Sequence, residues 1–281
     1  MVKMGNVWDR TVEVLNGRGG MLAGIAFLTL FVPAVIDAAH TAYAGAGMTK
    51  VAVGAVLTLA TTVVALWGQL ALIAASTDPA TDRAAALRQA NSRLGPALLV
   101  ALLLAIVFSL LFLPVFALLV AAGVDFATVG NGVAPNVTSP GAAALAGLYG
   151  LVALVVLLFV GVRMLPLYAV VLHERHGARA IARSWRLTRR HSWRLIGALL
   201  LFLIVLLIAT GAAQSVSGLV LRLVLGADAR ATVDFLASAI AQAVSTALTL
   251  VAVVFSAQLY VALVTRERLL HERAAQAEMS A

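Results

Sequence analysis

Six apolar stretches, each near or above the roughly 20 residues that carry a helix across a bilayer, decide what this chain can become. They run over residues 21–39, 51–75, 97–122, 142–172, 195–221 and 235–264. The expected fold is all-α, a polytopic membrane protein with six transmembrane helices. Composition points the same way: 62% of residues are hydrophobic, 11% are charged, and mean hydropathy is +1.02. A water-soluble domain of 281 residues could not hide that much apolar surface.

The charges orient the spans. Put both termini and the second and fourth loops in the cytoplasm, and that side holds sixteen of the Lys and Arg residues. The opposite side holds Lys50, Arg222 and Arg230, and Arg163 is left inside a span. Cytoplasmic loops are the basic ones, so both termini are expected to be cytoplasmic. A net charge of +8 would favour nucleic acid in a soluble protein. Here the arginines sit in short loops between spans, and no nucleic-acid partner is expected. Only 2 of the 20 basic residues are lysines and alanine is abundant, a bias common in GC-rich bacteria. The bacterial inner (cytoplasmic) membrane is the expected location. About 20 polar and mixed residues precede the first apolar run, which is expected to act as an uncleaved signal anchor.

The segments outside the spans carry the amphipathic patterns. Residues 1–20 are expected to form an N-terminal interfacial helix, N-capped by Asn6, ended by Gly17, and with Trp8, Val12 and Leu15 on one face. The membrane domain spans 21–264, and 265–281 is expected to be a cytoplasmic tail. Within that domain a second amphipathic helix is expected near 79–94, with Asp78 as cap and Pro79 at its first position. The third lies near 177–194. It places Arg179, Arg183, Arg186, Arg190 and Arg194 at spacings of 4, 3, 4 and 4, hence on one face. Ala178, Ile181, Trp185, Thr188 and Ser192 take the other face. Such a helix suits an anionic leaflet, where each cation is worth about 1 kcal/mol. A faint parallel repeat pairs Arg93-Leu-Gly-Pro-Ala-Leu-Leu99 with Arg194-Leu-Ile-Gly-Ala-Leu-Leu200.

Arg163 is the sharpest single position. A cation at the centre of a span costs about 2.5–3.5 kcal/mol on insertion scales. Two readings are open. Arg163 either reaches cytoplasmic phosphates or carbonyls freed by a kink at Pro166, or it binds a lipid headgroup or substrate. His173-Glu174-Arg175-His176 spaces its histidines three apart, where the zinc motif needs four, so no metal site is expected. Without cysteine there is no disulfide, thiolate site or cysteine nucleophile. No serine elbow or phosphate loop occurs, so neither enzyme activity nor a cofactor is expected. Gln242, Ser245 and Thr249 make a polar stripe on the sixth span, of the kind that joins helices by hydrogen bonds or lines a path.

The run from Val162-Arg163 through Leu165-Pro166 and Glu174 to Ser184-Trp185, Thr188 and Trp193 resembles a known signature. It is similar to that of the glycerophosphoryl diester phosphodiesterase membrane-domain family. There a span with Arg and Pro leads to a Glu and then to a helix with Ser-Trp and Thr. The matching positions are Arg163, Pro166, Glu174, Ser184, Trp185, Thr188 and Trp193. Some members of that family carry a soluble catalytic domain. This chain ends at Ala281, so the resemblance implies a stand-alone membrane unit and no esterase activity. The expected function is non-enzymatic: binding anionic lipid or phosphorylated headgroups at the cytoplasmic leaflet, as a lipid-linked accessory or scaffold. Anionic membrane lipids are the expected partners. The alternative is a transporter or lipid-translocating permease.

Overall fold

The computed structural model of the chain describes residues 4–45, 47–126, 137–174, 179–189 and 192–279. Among them every regular element is helical. In chain order they are α1 (Met4–Ala26), a π-helical turn (Phe27–Phe31), α2 (Val32–Tyr43), α3 (Met48–Thr77) and α4 (Arg83–Ala121). Then come α5 (Pro140–Met164), α6 (Leu167–His173), α7 (Arg179–Thr188), α8 (Ser192–Leu225), a 3₁₀ turn (Ala227–Ala229) and α9 (Arg230–Met279). Six helical units are long and apolar enough to cross a membrane, and the protein is a multi-pass membrane protein.

α9 is the central post. It packs against α1, α2, α3 and α8, and 39% of its apolar window is buried, against 6% for α4 and for α8. The outer helices present large side chains outward, such as Leu207 at 77% and Leu223 at 79% exposure, as a lipid-facing surface must. The core lies toward one end of the bundle. There residues 70–76 at the end of α3 are buried on every side, against α6, α4 and the Val254–Tyr260 stretch of α9. That end also carries the arginine-rich segments and is called the basic end below. The opposite end carries the Arg222–Asp234 pair at 3.6 Å and Tyr43 tilted against Phe235, with ring centroids 5.6 Å apart.

Four expected boundaries are corrected. Gly17 does not end a helix: α1 runs through it, and its first turns bury Val7 and Thr11 while Trp8 and Val12 are exposed. The break comes later, ahead of Pro33, which cannot donate to the preceding turn. The helix widens instead, with Val32 N donating to the Phe27 carbonyl. Thr29 on that widened turn sits so close to Gly68 of α3 that a Cβ on Gly68 would overlap it. Asp78 does not start the second amphipathic helix. It follows α3, and Asp82 is the N-cap, accepting from Ala85 N at 2.6 Å. That helix is continuous with the third span as α4, passing through Pro96 and Pro114. The basic helix expected over 177–194 is split, since α7 stops at Thr188 and α8 begins at Ser192. The two halves of the faint repeat therefore differ, one fused and one broken. The residues read as a tail continue α9 to Met279.

Candidate functional site at the basic end

Pro166 sets up the first part of the site. Its ring has no N–H for the Val162 carbonyl, which accepts instead from Leu165 N at 3.4 Å, and the span breaks into α5 and α6. A break at membrane depth leaves carbonyls that must find partners. The Arg163 carbonyl takes the Ser184 hydroxyl at 2.7 Å and the Thr188 hydroxyl at 3.4 Å, both from α7. The Leu165 carbonyl takes the Ser256 hydroxyl of α9 at 2.5 Å. Ser184 and Thr188 are fully buried for this reason. The Ser184→Ala variant is expected to lose about 1–2 kcal/mol in detergent unfolding, the cost of a buried carbonyl left with one long bond. Thr188→Val should lose less, because its contact is longer.

The Arg163 side chain faces the same helix. Its Nη1 donates to the Trp185 carbonyl at 3.3 Å, and its guanidinium lies 5.1 Å from the Phe159 ring and 5.0 Å from the Trp185 ring. Those rings meet edge-on and cover it, leaving Arg163 only 7% exposed. Cation–π contact offsets part of the cost of enclosure. Yet Nε is enclosed without a hydrogen-bond partner, and no carboxylate among the described residues pairs with this cation. The like-charged Arg189, exposed just beyond α7, is close enough to repel it. Asp37 makes no bond with it.

α7 turns differently from its expected face. Ala180, Ser184 and Thr188 are buried, Trp185 is 37% exposed, and Arg183 lies at the edge of the buried side. There Arg183 is clasped by two carboxylates. Nε donates to Glu174 Oε2 at 2.8 Å, and the two terminal nitrogens donate to Glu267 of α9 at 2.8 and 2.5 Å. Hydrogen bonding to Glu267, then to Glu174, holds this guanidinium protonated well above its ordinary range, against the opposing pull of burial. Tyr260 donates to the other Glu174 oxygen at 3.3 Å and stacks on His173, whose Nε2 meets the Thr77 hydroxyl at 3.0 Å. His173 and Glu174, the tempting metal pair, are thus engaged within the bundle. Arg179 and Arg186 remain exposed on α7, as does Trp193 on α8. Arg175, Arg190 and the side chain of Arg194 lie outside the described residues, although Arg194 belongs to α8 rather than α7.

On the far side of α9 the core raises a different problem. A buried helix end leaves orphan carbonyls. Arg18 of α1 caps α3, its Nη1 donating to Ala75 O at 2.5 Å and Asp78 O at 2.9 Å and its Nη2 to Thr81 O. A cation at a helix C-terminus also suits the macrodipole. Gln258 Nε2 donates to the Ser76 carbonyl at 2.6 Å. Next to this cap, between α1, α3 and α9, lies a cavity of about 860 Å³. Arg18 and Glu267 were not singled out as site residues by sequence. Each sits in helical register with its element, and the signal available was a polar residue at the edge of an apolar run.

The chain belongs to the family described as Domain of unknown function (DUF7847), whose model matches residues 7–263. The match takes in Arg163, Pro166, Glu174 and all of α7, and stops just before Glu267. No curated protein and no solved structure matches the chain.

Proposed function

We propose, with membership of that family as the premise, that this protein is a non-enzymatic binder of anionic lipid at the cytoplasmic leaflet of a bacterial inner membrane. Both termini and the basic end face the cytoplasm in this reading, which the positive-inside asymmetry supports. The observation that carries it is Arg163: an enclosed guanidinium with an unpartnered Nε, no carboxylate among the described residues, and Arg189 as a like-charged neighbour. Two cations near each other, with no carboxylate paired to either among the described residues, ask for an anion from outside the chain. A lipid phosphate is the anion available at that depth. Arg179 and Arg186, exposed on α7, add attraction to the same leaflet. The resemblance of the Arg163–Trp193 run to a glycerophosphodiester-linked membrane family points toward headgroups as well. The clasp on Arg183 is structural, which leaves that residue out of the binding set.

Native mass spectrometry of detergent-purified protein mixed with phosphatidylglycerol and phosphatidylcholine tests this. Wild type should retain phosphatidylglycerol selectively. Arg163→Gln and the Arg186→Gln/Arg189→Gln pair should each lose about tenfold in retention, the loss of one charge-assisted hydrogen bond. Equal retention of both lipids by folded wild type and variants overturns the proposal.

A further inference from the structure

The cavity of about 860 Å³ faces away from the α7 site. On α9 its lining residues Gln258, Thr265 and Arg266 fall on one side, whereas Tyr260, Glu267 and His271 around the Arg183 clasp fall on the other. Its size is that of a small-molecule site rather than a packing defect. Arg10, Glu13 and Arg266 are all among its lining residues, and Arg10 Nη1 donates to Glu13 Oε2 at 2.8 Å. That ion pair is two-thirds or more exposed on each side, so water screens it and it is weak. Arg18 donates to the Ala75, Asp78 and Thr81 carbonyls and adds positive potential beside the cavity.

We infer that this cavity binds a zwitterionic phosphate–amine group of the phosphoethanolamine type. The ligand's two charges replace the exposed ion pair: its phosphate takes Arg10 and Arg266, and its ammonium takes Glu13. A purely anionic ligand would leave Glu13 facing it, and a purely cationic one would meet two arginines. Thr265 and the walls formed by Val14 and Val261 complete a mixed polar and apolar lining. The site is separate from the anionic-lipid site on α7 and does not rest on it. The same chemistry arrives either as the headgroup of phosphatidylethanolamine or as free phosphoethanolamine.

Calorimetric titration of the full chain separates the two sources. Free phosphoethanolamine and inorganic phosphate are titrated into detergent-solubilised protein, and phosphatidylethanolamine is offered in nanodiscs against phosphatidylcholine. Binding of either amine-bearing probe is expected, and which one binds names the source. Glu13→Gln should weaken that binding about tenfold while leaving inorganic phosphate unchanged or tighter. Arg266→Gln should weaken both. Gly17→Leu provides a steric block, since Gly17 lines the cavity and a Cβ there meets no atom within 4 Å. Arg163→Gln should leave this binding intact, so failure here and failure of the α7 proposal are told apart. The inference is overturned if wild type binds neither source, if Gly17→Leu binds as wild type does, or if Glu13→Gln leaves amine-bearing ligands unaffected.

Discussion

Arg183→Ala is expected to cost about 2–3 kcal/mol of stability and to release α7 from α9. Removing the guanidinium leaves Glu174 and Glu267, both partly enclosed, facing each other without the cation that bridged them. Breaking a fully buried pair costs about 3–5 kcal/mol. The Glu267 side chain is 37% exposed, so solvent takes up part of the loss and the lower figure applies. Chemical unfolding in detergent would measure this. The mechanism makes a second, sharper demand: Arg183→Met combined with Glu174→Gln and Glu267→Gln should recover most of the loss, because the uncompensated charges go with the cation. A double-mutant cycle between Arg183 and Glu267 should return a coupling above about 1 kcal/mol. A coupling near zero would reduce the clasp to a surface contact.

Gly68→Ala is expected to be nearly as damaging, for a steric reason. The added Cβ would fall inside the Thr29 side chain, and the overlap reaches Thr29 Cβ as well as Oγ1, so no rotamer change relieves it. Either α3 or the π turn must move. Overpacking of this kind costs about 1–3 kcal/mol, and helices in lipid depend on such close approach for their association. In a background carrying Thr29→Gly the same alanine should cost little or add stability, since alanine favours the helix over glycine. Measuring the four proteins by thermal unfolding decides it. An equal penalty for Gly68→Ala in both backgrounds would show that the clash is elsewhere.

Hydropathy made the six spans readable, because a bilayer forces long apolar runs into helices whatever their neighbours do. The break at Pro166 was readable for an equally local reason, a missing N–H. What was hidden depends on which helices meet. The spacing of the five arginines implied one basic face toward the anionic leaflet, yet Arg183 is drawn to the packed side by carboxylates 9 and 84 residues away in sequence. Trp185, placed on the face opposite the arginines, is 37% exposed, because α7 turns Ser184 and Thr188 toward the open carbonyl of Arg163. Glu267 looked like one charge in a polar tail until α9 carried it back to α7. Arg18 counted only as one of the sixteen cytoplasmic cations, and its partners are the carbonyls of Ala75, Asp78 and Thr81, at and just beyond the end of a helix that begins 30 residues later.

The divided fourth span has a bearing on how the protein is made. The groups that satisfy its open carbonyls belong to Ser184, Thr188 and Ser256, all later in the chain than Pro166. A nascent chain that has reached only Glu174 therefore holds an incomplete hydrogen-bond ladder and a lone arginine at membrane depth. Its fourth span can settle only when α7 emerges, and is finished only when the last helix enters the bilayer. The hydrogen bonding of the fourth span is thus completed by groups from the C-terminal side of the chain, on α7 and α9.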